Sequence, residues 1–142
     1  MSKQQDVLAV IELYKMRGEA KMREARKWFM TEFNPTSTAE TAQLLLSGEE
    51  ESANYRMITS HWNMACSFVN NGGIDEQIFQ DSNTEHIVVY AKMRPFLKEI
   101  REMFNEPTYL LQLETLVLKV PNVEAILENR QRLFERWAKK KE

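Results

Sequence analysis

The side chains able to carry chemistry are few. They comprise two histidines (His61 and His86), one thiol (Cys66), the carboxylates Asp75, Glu76, Asp81 and Glu85, and one glycine pair, Gly72-Gly73. A metal site drawn from His61, His86, Asp81 and Glu85 would need ligands sharing a helix face, as two histidines do at a spacing of four. The positions three and four residues from His61 hold no carboxylate, histidine or cysteine, so His61 reads as a partly buried residue beside the core and His86 as a first-turn surface residue. Acid and base work by Asp75 and Glu76 would require one of them to sit in an apolar pocket that raises its pKa. Capping of a helix explains Asp75 more simply. Cys66 follows His61 by five positions, off its helical face, which leaves no nucleophile and base in register. Gly72-Gly73 lacks both the Lys-Ser/Thr that follows a phosphate loop and the G-x-G-x-x-G pattern, and reads as a helix stop. The sequence therefore offers no catalytic, cofactor-binding or metal-ligating residue, and the expectation is a protein that is not an enzyme and uses no cofactor or metal.

The elements that would position these groups are all helical. Glycine and proline number four each among 142 residues, too few turns for a sandwich or barrel, and a hydrophobic content of 43% is enough for one buried core. Val7, Ile11, Tyr14, Gly18, Met22, Ala25 and Phe29 recur at steps of three and four, predicting one continuous helix from Asp6 to Phe33, about 40 Å long. Gly18 on its apolar stripe marks either a close approach of another helix or a weak point. Ser37 and Glu40 predict a capped short helix through Leu46, closed by Gly48. A central helix from Glu50 to Asn70 carries Tyr55, Ile58, Trp62, Ala65 and Val69 on one stripe, with Met57, His61, Met64 and Phe68 beside it. Asp75 caps a short helix, and Ser82 with Glu85 predicts a capping box for a fifth helix kinked at Pro95, with Ile87, Tyr90, Ala91, Met93, Leu97, Ile100 and Phe104 inward. Pro107 and Pro121 read as first-turn prolines opening a sixth segment (Leu110, Leu113, Val117) and a seventh (Val123, Ile126, Leu133, Phe134, Trp137).

Charge is uneven along the chain. Residues 1–34 carry seven basic and five acidic side chains, residues 35–86 one and eight, and residues 87–142 eleven and eight. The basic segments 15–27 and 130–141 would supply phosphate contacts from Lys21, Arg26, Arg132 and Arg136, although a pI near 5.8 is unlike that of a dedicated nucleic-acid binder. The lone Cys66 permits no internal disulfide and fits a reducing compartment. No apolar run approaches the ~20 residues that cross a bilayer, and the N-terminus lacks a cleavage site, so the expected location is the cytoplasm, without a membrane span.

The run of Trp62, Phe68-Val69-Asn70-Asn71-Gly72-Gly73-Ile74-Asp75-Glu76, then Met93-Arg94-Pro95-Phe96, Arg101 and Glu106-Pro107-Thr108-Tyr109, spans about 60 residues. It resembles a bacterial all-helical domain of unknown function, often found behind an N-terminal membrane helix, here as a soluble stand-alone form. The resemblance implies a helical fold and brings no catalytic residue with it.

The resulting expectation is an all-α, compact bundle of about six or seven helices forming a single domain over 1–142, with a long N-terminal helix and a Pro-kinked fifth helix. A ~40 Å helix exceeds what a domain with a radius of gyration of about 14 Å needs for its own core. The function expected is a non-enzymatic interaction or regulatory module, self-associating or binding another protein, with an interface at Trp28, Phe29 and Phe33. The interior of a monomer is the competing explanation for those aromatics, and nucleic-acid binding by the basic segments is the alternative function.

Overall fold

A computed structural model describes the backbone of residues 2–141 and the side chains of residues 2–136. Among the described residues the chain forms eight α-helices and no strand: α1 (Lys3–Arg17), α2 (Ala20–Thr31), α3 (Thr38–Leu46), α4 (Glu50–Asn70), α5 (Glu76–Ser82), α6 (Glu85–Met103), α7 (Leu111–Val117) and α8 (Val123–Lys141). The count exceeds six or seven because the expected long first helix is two. Gly18 ends α1 and Glu19, with extended backbone angles of -64° and 144°, turns the chain before α2.

Local signals set most other boundaries. Ser2 and Gln5 form a reciprocal capping box at α1. Ser37 caps α3 through the Glu40 amide, but the Glu40 carboxylate accepts from the Thr36 amide and hydroxyl instead of closing the box on Ser37. Gly72, with φ of +80°, closes α4, and Asp75 accepts from the Ile78 amide to open α5. The box expected between Ser82 and Glu85 does not form. Ser82 is the last residue of α5, its hydroxyl donating to the Ile78 carbonyl, and Thr84 occupies the cap position without a side-chain bond. Pro95 lies inside α6, where it withholds the N–H that the Ala91 carbonyl would accept. Pro107 does not open α7; a turn intervenes, ending at Leu110 in the left-handed region.

Helix α4 runs through the centre, packed by α2 and α7, while α6 carries α7 and α8. Tyr55, Ile58, Trp62 and Ala65 of α4 meet Met22, Ala25 and Phe29 of α2, Val89, Met93 and Ile100 of α6, and Leu113 and Leu116 of α7. The aromatic group expected to be an interface belongs to this interior. Phe29 is fully buried and Phe33 is 4% exposed, with Trp28 half-buried against both rings. Trp137 lies outside the described side chains.

The residues that carry the family resemblance brace α7. The Asn70 amide donates to the Gln112 carbonyl, Asn63 accepts from the Leu113 amide, and Arg101 donates to the Tyr109 carbonyl and to Glu114. The Tyr109 hydroxyl meets that of Tyr55 at 2.7 Å. These are structural contacts.

Candidate functional site

The joint between α1 and α2 is held by a buried carboxylate shared between two arginines. Glu85, whose side chain is 8% exposed, accepts from Arg17 Nη2 at 2.8 Å and from Arg26 Nε and Nη2 at 3.0 and 2.8 Å. The Arg17 guanidinium also lies 5.3 Å from the ring centres of both Tyr14 and Trp62. This arrangement accounts for the break in the first helix. Residues nine apart on a straight helix lie about 13 Å apart along the axis and on opposite faces, so one carboxylate could not bond both arginines.

His61 sits in this neighbourhood on α4, only 5% exposed, edge-on to Trp62 at 4.9 Å. Neither of its ring nitrogens has a hydrogen-bond partner among the described residues. Burial lowers its pKa below the ordinary histidine value, and the nearby Arg17 guanidinium adds to the effect, so the imidazole is neutral at pH 7. A surface cavity opens beside it, lined by Met16, Glu19, Met22, Met57, Ser60, His61 and Met64.

His86 is fully buried, contrary to its reading as a surface residue. Its Nε2 lies 2.8 Å from Gln80 Oε1, its ring packs on Trp62 and Phe79, and burial depresses its pKa to about 4. Cys66 is likewise fully buried, and burial pushes its thiol up to about 12, which denies it a thiolate for nucleophilic work. Among the described residues no three His, Cys, Asp or Glu side chains come together as metal ligands. Asp75 serves as a cap, as its sequence position implied, and its own amide donates to the Asp6 carboxylate at 3.1 Å.

Of the four cations proposed as phosphate contacts, Arg26 is committed to Glu85 and Lys21 is exposed on the same helix. Arg132 and Arg136 are exposed on α8, which packs on α6, whereas α2 packs on α4. The two basic segments thus belong to helices with different neighbours. The lysines at 139–141 lie outside the described side chains. No helix among the described residues is long and apolar enough to cross a membrane.

The unpartnered surface lies on α1. Asp6 and Leu13 face the body of the protein, and on the opposite side Val7, Leu8, Ile11 and Tyr14 are 44%, 57%, 42% and 66% exposed. The sequence pattern had placed Val7, Ile11 and Tyr14 on a buried stripe. A helix with two apolar faces normally buries both, yet α1 packs only along one side, mainly on α2 and α5. Sequence reasoning missed this because α1 carries two apolar faces and only tertiary packing decides which one is covered. The only prior signal was that Leu8, off the main stripe, is also apolar.

The family described as a domain of unknown function, DUF4760, matches the chain over residues 4–120. No curated protein and no solved structure matches it.

Proposed function

The chain belongs to the DUF4760 family, and from its own surface we propose that it is a non-enzymatic interaction module that pairs with a second copy of itself through the outer face of α1. The observation that carries this reading is the contiguous exposure of Val7, Leu8, Ile11 and Tyr14 on a helix whose other side is already packed. Fully burying an exposed valine, leucine or isoleucine contributes about 1.5–3 kcal/mol, and these side chains are about half exposed, so Val7, Leu8 and Ile11 together with Tyr14 still favour a partner. A second copy fits because the face is nearly neutral. Between Gln4 and Lys15 its charged residues are Asp6, turned toward the body, and the ion pair of Lys15 with Glu12. Antiparallel apposition about a twofold axis therefore brings apolar rows together without like-charge repulsion. The lone buried thiol supports work in a reducing compartment such as the bacterial cytoplasm.

The test is absolute mass by light scattering after size exclusion. Wild-type protein should elute as a dimer at low and moderate salt, and the double replacement Leu8→Glu with Ile11→Glu should give a monomer with unchanged circular dichroism. A monomeric wild type, or a dimer indifferent to the double replacement, would overturn the assignment. Nucleic acid carried by wild-type protein and shed by salt would favour the basic segments instead.

A further inference from the structure

We propose that His61 and the thioethers of Met57, Met64 and Met22 form a binding site for a soft monovalent metal ion, copper(I). The spacing is that of a ligand set on a helix. Met57 precedes His61 by four residues and Met64 follows it by three, which puts all three on one face of α4 as neighbouring side chains. Met22 joins them from α2, and the four residues line one cavity with Met16 and Glu19. Thioether and imidazole donors select copper(I) over the hard cations, which favour oxygen donors. Three sulfurs and one nitrogen match the coordination number of four that a closed-shell ion accepts.

Methionines at helical spacing also fill core gaps for want of a better shape, so the donor set is not the only support. The second observation is His61 itself. A buried histidine, 5% exposed, with no hydrogen-bond partner on either ring nitrogen among the described residues carries an unmet desolvation cost that a ligand in the adjoining cavity would recover. Glu85, which bonds both Arg17 and Arg26, and Glu19 at the cavity partly offset the two guanidinium charges beside the site.

The experiment is anaerobic copper(I) titration of the full chain against a chromophoric chelator, paired with silver(I) titration of protein labelled with ¹³C at the methionine methyls. Wild type should take up one copper(I), and silver(I) should shift the methyls of Met22, Met57 and Met64 while leaving that of Met103, exposed on α6, in place. Replacement of Met57→Leu with Met64→Leu keeps side-chain volume and should weaken binding at least about tenfold, since even outer-shell losses cost a metal site that much. Cys66→Ala should retain the site. Absence of binding, equal shifts at Met103, unchanged affinity in the methionine variant, or loss of binding in Cys66→Ala would each overturn the proposal. The methyl shifts of the wild-type chain decide the matter even if a variant does not fold.

Discussion

A histidine shut away from water is a base that folding has switched off. His86 in the unfolded chain takes a proton near its ordinary pKa of 6.5, whereas in the core it resists until about pH 4. Between those values the unfolded chain holds more protons than the folded one, so stability is complete above pH 6.5 and falls as the solution is acidified. The shift corresponds to a loss of about 2 kcal/mol from about pH 7.5 to about pH 5, measurable as a lower urea midpoint. His61, also depressed, adds in the same direction. His86→Gln should flatten the profile without abolishing it, and an unchanged slope would show that His86 is not its source. Glu40, whose carboxyl is held below its usual value by bonds from Thr36, acts in a lower window, because its contribution is lost only as pH falls past the carboxylate range. Glu85 is the residue whose role the sequence concealed most completely. It occupies the third position of a plausible capping box, and nothing local reveals that two arginines from a distant segment claim its carboxylate.

Helix ends divide into those written locally and those imposed from elsewhere. The end of α4 is local. Gly72 adopts φ of +80° with open space around it, so Gly72→Ala should destabilise by about 1 kcal/mol purely through backbone strain, seen as a lower urea midpoint with unchanged slope. At Gly73 the obstacle is different, because an added Cβ would lie 3.1 Å from the Phe68 carbonyl oxygen. Such punctuation made α3, α4 and α5 legible almost to the residue through Ser37, Gly72 and Asp75. The break between α1 and α2 was only half legible, because Gly18 offered a weak point as one of two readings while Met22, Ala25 and Phe29 continue the spacing of Val7, Ile11 and Tyr14 without a phase change. What interrupts the helix is the convergence of Arg17 and Arg26 on one carboxylate, a contact spanning 68 residues in sequence for Arg17. The start of α7 escaped notice for a related reason, since Leu110 takes a left-handed conformation that its side chain does not advertise.

At the scale of the molecule, α4 with α2, α6 and α7 forms the body and α1 is attached along one face. The central core was readable because Tyr55, Ile58, Trp62, Ala65 and Val69 hold a single stripe. The candidate sites were less so. Met57, His61 and Met64 share a face in the sequence, but Met22 reaches them only through tertiary packing, and the outer row of α1 looked like part of the core. Helix α1 is anchored by Leu13, by Arg17 on Glu85 and by the bond from the Asp75 amide to Asp6. That last bond ties the first helix to an amide that the start of α5 does not itself use. Exchange of its proton for deuterium requires the bond to Asp6 to open, so this one position is sensitive to the attachment of the N-terminal helix. In exchange followed by NMR, Leu13→Ala should speed deuteration at Asp75 while amides in the middle of α4 keep their rates. A proportional acceleration at both places would mean that α1 and the body open as one unit.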